Sequence, residues 1–178
     1  MTSQEHQHVA EQLRGHCGSR WRSRSVDARR AHKLPSDSKL WTSRPEVKLR
    51  GLPDSQRQRD YLDVLFGSAV VQNPGVDAAS LAKNLWGDPS QNVDRIPKKH
   101  KKGVGTLTTS TALYSFECDA VLSGAAGIQL MGWHRGAAPM EQVSESTARN
   151  LAGDSFSVPL AALMQCALFW NPHTPWWS

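Results

Sequence analysis

Asn150-Leu-Ala-Gly-Asp-Ser-Phe-Ser-Val-Pro-Leu160, with the apolar run that continues to Trp170, is the stretch on which a reading of this 178-residue chain turns. A short polar helix is expected over 144–151, leading into Gly153, a residue free to adopt backbone angles closed to others. Asp154 and Ser155 carry side chains that hydrogen-bond nearby backbone amides, so the chain is expected to turn there. Pro159 suits the first turn of a following helix, where its missing N–H leaves nothing unpaired. From Leu160 to Trp170 nearly every residue is apolar, the composition of a helix covered on most sides. Taken locally, helix, turn and buried helix form a hairpin that closes a core, and the free helix N-terminus suits a polar or anionic group.

Working outward, 121–133 is apolar but holds Gly124, Gly127 and Gly132, so its helix is expected to be short and weak. Thr106-Leu-Thr-Thr-Ser110 and Leu113-Tyr-Ser-Phe-Glu117 are rich in β-branched and aromatic residues and predict a hairpin. Between Pro97 and Gly103 lies an exposed loop. Its lysines, Lys98, Lys99, Lys101 and Lys102, offer charge to a nucleic-acid backbone or serve only solubility. Residues 88–97 are polar and turn-rich. One helix is expected from about Asp77 to Trp86. Another begins at Asp54 and gathers Tyr61, Leu62, Val64, Leu65 and Phe66 before stopping near Gly67. Residues 1–50 carry many arginines and lysines, few acids and no periodic apolar face. They read as a mostly disordered basic arm able to neutralise phosphates. The expected organisation is therefore an arm over 1–50, a folded region over 51–171 and a tail over 172–178.

The formal charge is +5, which permits an anionic partner without requiring one. Cys17, Cys118 and Cys166 have no C-x-x-C spacing, and their odd number argues against a disulfide framework and for a reducing, intracellular compartment. The first residues are too polar for a signal peptide. No apolar run approaches the roughly 20 residues of a membrane helix, so no membrane partner is expected. There is no P-loop, no G-x-G-x-x-G and no H-E-x-x-H. His6 and His8 have no evident supporting groups, so no metal site is assigned. Cys17 beside His16 is a weak thiol pair, since adjacent side chains rarely face each other. No carboxylate pair sits in an apolar setting, and no catalytic residue is assigned.

Three segments carry more. Thr106-Leu107 comes first, Leu122-Ser-Gly-Ala-Ala-Gly-Ile-Gln-Leu-Met-Gly-Trp133 second, and Leu151-Ala-Gly-Asp-Ser-Phe-Ser-Val-Pro159 third, followed by the apolar helix. In this order and spacing, over roughly residues 104–170, the chain resembles the C-terminal end of DNA cytosine-5 methyltransferases. In that family a Thr-Leu pair in the target-recognition region precedes R-x-L-T-x-R-E-x-x-R-L-Q-G-F-P, and a G-N-S/A-V motif opens the closing helix. Leu122, Leu130 and Gly132 match, and Ser123 and Trp133 are conservative. Asp88-Pro-Ser-Gln91 is similar to a D-x-S-Q stretch of divergent protist members. The family's Arg-Glu pair falls on Ala125 and Ala126, its leading Arg on Ala120 and its closing Pro on His134. Those changes remove a planar donor fork that a methyl group does not imitate. Asp154 stands in place of the family's Asn. No Pro-Cys nucleophile, glycine-rich cofactor loop or Glu-Asn-Val segment occurs in the chain.

The resemblance implies an α+β chain, mostly helical with a short β-hairpin. It would be an incomplete C-terminal piece of the Rossmann-like, S-adenosyl-L-methionine-dependent methyltransferase fold. It implies cofactor contact at Gly153, Asp154, Ser155 and Val158 once the missing catalytic half, or another chain, supplies the sheet. It also implies DNA contact at Thr106 and Leu107 and a nuclear location. The helix over 158–170, deprived of that sheet, is expected to self-associate. Three functions compete: a C-terminal fragment or remnant unable to methylate alone, a basic nucleic-acid-binding module without catalysis, and a partial gene product with no function. Sequence upstream of Met1, the salt dependence of nucleic-acid binding and the dispersion of amide NMR signals would separate them.

Overall fold

The structure, a computed structural model, describes residues 20–97, 107–133, 142–154, 161–163, 165 and 166. It is an α+β chain. Helix α1 covers the described residues 20–31, followed by α2 (Gln56–Gln72) and α3 (Ala78–Ala82), and later by α4 (Gly124–Leu130) and α5 (Glu145–Asp154). Strands β1 (Trp86–Gly87), β2 (Tyr114–Ser115) and β3 (Ala120–Val121) form an antiparallel sheet in the order β1–β2–β3. The chain divides into two compact units. Unit 1 is Met1–Val104 with Ala112–Val121, and unit 2 is Gly105–Thr111 with Leu122–Ser178.

Unit 1 is built around α2, whose residues from Asp60 to Ala69 are all buried. Apolar side chains on every face of that stretch require cover on every side, which a helix on a solvated surface does not receive. The helix does not stop at Gly67. It runs on to Gln72, where the Asn73 N–H reaches the Ala69 and Val70 carbonyls. Gly67 makes room: a Cβ there would lie 2.8 Å from Leu34 Cδ1 and 3.0 Å from Leu40 Cδ1.

The cover comes from residues expected to be a disordered arm, and over 20–50 that expectation fails. Ala28, Leu34 and Trp41 belong to the core, with Trp41 only 4% exposed. The indole packs against Phe66 and Phe116, each at 4.9 Å between ring centroids, and Tyr114 meets Phe116 edge-on at 5.2 Å. Such tilted and edge-to-face pairs contribute roughly 0.5–1.5 kcal/mol each beyond the area they bury. Polar bonds fix the position. Trp41 Nε1–H donates to the Tyr114 hydroxyl at 3.0 Å, and that hydroxyl donates to Asp119 Oδ1. Burial, aided by the Asp119 carboxylate, pushes the Tyr114 phenol up, which keeps it a donor. The Asp119 carboxylate also accepts the Lys48 N–H at 2.7 Å and the Leu49 N–H at 3.1 Å.

Two buried acids of α2 complete the attachment. Asp63 Oδ1 accepts the backbone N–H groups of Trp41 at 2.9 Å and Thr42 at 2.8 Å, while Oδ2 accepts the Thr42 hydroxyl at 2.6 Å. Asp60 Oδ1 pairs with the buried Arg29 guanidinium at 3.0 Å, and Oδ2 accepts the Ser25 hydroxyl at 3.1 Å. Arg29 Nε also donates to the Ser38 carbonyl at 3.2 Å. Its donors are thereby paired, the condition for burying a charge at tolerable cost.

The expected hairpin is displaced. Leu113–Glu117 does supply β2, but Tyr114 pairs with Val121 and Ser115 with Ala120 across the turn at 116–119, and β1 covers the other edge. Thr108–Thr111 is instead a turn in which the Thr108 N–H meets Thr111 Oγ1 at 2.8 Å and the Thr111 N–H meets the Thr108 carbonyl at 2.9 Å. Hydroxyls bonded to their own backbone compete with strand pairing. The expected helix over 77–86 shrinks to α3, capped by Asp77, whose carboxylate accepts the Ser80 N–H at 2.9 Å, and Trp86 enters β1.

In unit 2, Ser144 caps α5 by accepting the Thr147 N–H at 3.1 Å. The small faces of α4 and α5 meet closely, Gly124 lying against Ala148 and Gly127 against Ala152. Most of the apolar helix expected over 158–170 lies outside the described residues. Of those described, 161–163, 165 and 166 are helical, Leu163 is 67% exposed and Cys166 is exposed, against the expectation of burial. All described strands belong to unit 1, so none supplies a sheet beside these residues within unit 2.

Replacing Asp63 by Ala is expected to destabilise the chain by about 2–5 kcal/mol in urea unfolding, since the buried Trp41 N–H and the half-buried Thr42 N–H and hydroxyl lose their acceptor at roughly 1–3 kcal/mol for each buried group. Asp63→Asn, which keeps one such oxygen, should cost far less. Burial raises the Asp63 carboxyl above its usual value of 3.8. The folded state therefore holds that proton more tightly than the unfolded state. Its stabilising contribution is full below about 3.8 and is lost as pH rises through the higher folded value. The stability difference between Asp63→Asn and the parent chain should accordingly shift in favour of Asn as pH rises through that window. Equal pH profiles for the two chains would contradict the assignment.

Candidate functional site

Of the residues singled out for cofactor contact, Ser155 and Val158 lie outside the described residues, and so do Lys98, Lys99, Lys101, Lys102 and Thr106. Gly153, Asp154 and Leu107 are described. Gly153 does not turn the chain, because α5 continues through it to Asp154, which is helical and exposed. Its lack of a side chain serves a close approach instead. A Cβ there would lie 2.2 Å from the Thr109 nitrogen and 2.3 Å from the Thr108 carbonyl carbon. Gly153 thus packs beside the turn that begins one residue after Leu107, itself half-buried.

The α4 segment is bounded at both ends by residues of the 122–133 stretch. Ser123 Oγ accepts the Ala126 N–H at 3.2 Å, and Gly132 takes a φ of 87° just past the helix. That value lies in the left-handed region where glycine ends helices without strain. Glu145 reaches from α5 to accept the Gly124 N–H at 2.8 Å and the Arg149 Nε–H at 2.9 Å. A carboxylate on the first N–H of a helix also complements its dipole.

A second site lies in unit 1 and was not legible in the sequence. A cleft of about 170 Å³ opens between the first described turns of α1, the start of α2 and the 3₁₀ turn Val93–Arg95. Arg20, Trp21, Arg24, Arg57, Asp60 and Asp94 line it. Arg57 Nη1 donates to the Gln91 carbonyl at 2.9 Å, tying α2 to the Asp88–Gln91 turn. That turn closes on itself through Asp88 Oδ1, which accepts the Ser90 N–H at 3.1 Å and the Ala112 N–H at 3.1 Å. Arg20 with Arg24 and Trp21 with Ser25 are spaced i, i+4, one face of a helix. That spacing was the available signal, but nothing in a disordered arm would have given it a partner.

Cys118 lies exposed in the β2–β3 turn, not within a strand. Among the described residues no group of three or more His, Cys, Asp or Glu side chains is placed to hold a metal ion. Among them, too, no helix is long and apolar enough to cross a membrane. Comparison with known proteins finds no match, whether family model, curated protein or solved structure.

Gly153→Ala tests the packing of unit 2. Helix propensity alone favours Ala by about 1 kcal/mol. Overpacking against a backbone that cannot rotate away costs about 1–3 kcal/mol. A net loss of stability is expected in thermal unfolding of the full chain. A gain would mean that Thr108 and Thr109 do not sit against this helix.

Proposed function

We propose that unit 2 is a C-terminal recognition-and-closing module similar to that of DNA cytosine-5 methyltransferases, carried here without the residues that transfer a methyl group. One observation carries this reading. The described parts of the three stretches of resemblance, Leu107, Leu122–Trp133 and Leu151–Asp154, fall in a single compact unit, while the intervening Ala112–Val121 belongs to unit 1. What remains of the motifs is what holds a scaffold together. Ser123 and Gly132 bound α4, and Gly153 admits the backbone of Thr108 and Thr109. What is missing is chemistry: Ala125 and Ala126 stand where the family has Arg-Glu, and no cysteine follows a proline.

The described residues do not by themselves fit S-adenosyl-L-methionine. At Gly153 the space a side chain would take is filled by the chain's own backbone, and Asp154 presents an exposed carboxylate. No step through the cofactor is assigned to this chain, whose role in the reading is to supply the recognition end of a larger assembly.

Purified chain should transfer no labelled methyl group from S-adenosyl-L-methionine to cytosine-containing DNA. A flipped base needs an attacking thiolate presented to it, and the family's has no counterpart here. Transfer that survives replacement of Cys17, Cys118 and Cys166 would overturn the mechanism. Sequencing the transcript 5′ of the Met1 codon tests the assembly. An in-frame Pro-Cys and glycine-rich loop support it, and an immediate in-frame stop codon removes the fragment form of the proposal.

A further inference from the structure

We propose that the cleft between α1, α2 and the Val93–Arg95 turn binds a nucleotide unit, a planar base carrying a phosphate. This inference concerns unit 1 and does not rest on the reading of unit 2. Size limits the occupant first. At about 170 Å³ the cleft falls below the roughly 300–1,000 Å³ of pockets for drug-sized ligands, so it admits one ring system with its substituents at the rim.

The walls then select its chemistry. Much of the lining is carbon, with Trp21 and Val93 offering apolar surface. The Trp21 ring, over which the Arg22 guanidinium lies at 5.8 Å from the centroid, is a platform for any base, since every base has a π-face. Asp60 contributes a carboxylate that is 9% exposed. Its oxygens already accept from Arg29, Ser25 and, at 3.4 Å, Gln56 Nε2, so it is held in place and its charge is offset. Oδ1 is filled by Arg29 and Gln56, while Oδ2, which accepts from Ser25 alone among the described residues, keeps a second acceptor position that suits the amino or imino edge of a base.

Charge selects the rest. Three arginines face two aspartates in the lining. Both acids are matched, Asp60 by Arg29 at 3.0 Å and Asp94 by Arg24 at 4.0 Å. Arg57 spends Nη1 on the carbonyls of Ser90 and Gln91, neutral groups, and pairs with no acid among the described residues. Arg20 at the rim adds another. Two guanidinium groups that have no acid partner among the described residues, beside an aromatic wall, favour a phosphate, which the planar donor fork meets in pairs of hydrogen bonds.

A nucleotide unit comes from two sources, a free mononucleotide or a single strand, and the experiment separates them. The full chain is titrated by calorimetry with GMP and with AMP, and by fluorescence anisotropy with a labelled 12-nucleotide single-stranded DNA. Saturable binding of a mononucleotide that also displaces the strand assigns a free nucleotide. Strand binding that neither mononucleotide displaces assigns a nucleic-acid partner. In either case Trp21→Ala and Arg20→Glu should each weaken binding about ten-fold or more, the scale of one lost stacking or phosphate contact. Trp21→Phe, which keeps a ring, should stay near the parent affinity. Arg30→Glu reverses the same charge outside the cleft and should change affinity less than about three-fold. Circular-dichroism melting confirms that each variant is folded, and should Trp21→Ala unfold, Arg20→Glu against Arg30→Glu decides. No saturable binding of any probe, or equal losses for Arg20→Glu and Arg30→Glu, overturns the proposal.

Discussion

Trp41 is held by its polar edges as firmly as by its rings, and unit 1 depends on that combination. Its backbone N–H ends on Asp63, and its indole N–H ends on Tyr114, whose hydroxyl continues to Asp119. Two regions far apart in sequence, α2 and the β2 strand with the turn after it, are thereby tied to one residue. Each bond alone is worth about 0.5–1.5 kcal/mol net. Their larger effect is to satisfy groups that would otherwise be buried unpaired, and to fix where the aromatic cluster of Phe66, Phe116 and Tyr114 closes.

The same logic docks α1. Arg29 is among the more deeply buried charges of the chain, and its guanidinium is shared between Asp60, Ser25 and the Ser38 carbonyl. A buried ion pair adds little stability over an apolar pair of the same shape, yet breaking one is costly because a lone charge remains. The pair therefore acts as a registration device: α1 meets α2 where Arg29 finds Asp60. One consequence is that Arg20, Trp21 and Arg24, roughly one and a half to two and a half turns earlier, line one cleft with Arg57, Val93 and Asp94. The cleft is a product of that docking.

Unit 2 is organised differently. Its helices meet through small residues and caps, Gly124 on Ala148, Gly127 on Ala152 and Glu145 on the Gly124 N–H. The glycines that lower the helix propensity of 124–130 are the ones that let α5 approach. An intrinsic cost of about 1 kcal/mol per glycine is offset by contacts that a larger residue would forbid. Gly153 follows the same rule toward Thr108 and Thr109.

The sequence by itself determined the α+β class and the sites of α2, α4 and α5, because these follow from local propensity, although the N-cap of α2 is Ser55 and not Asp54. It did not determine that residues 20–50 fold, since Trp41, Leu34 and Ala28 form no periodic face and each finds its partners only across the chain. Composition averages over such a segment, and one buried indole with paired polar edges outweighs a surplus of exposed arginines. The end of α2, the partner of β2, the role of Gly153 and the cleft were likewise decided by tertiary structure. Each depends on what lies opposite in space: Leu34 against Gly67, Val121 beside Tyr114, Thr109 against Gly153, and Arg57 across from Trp21.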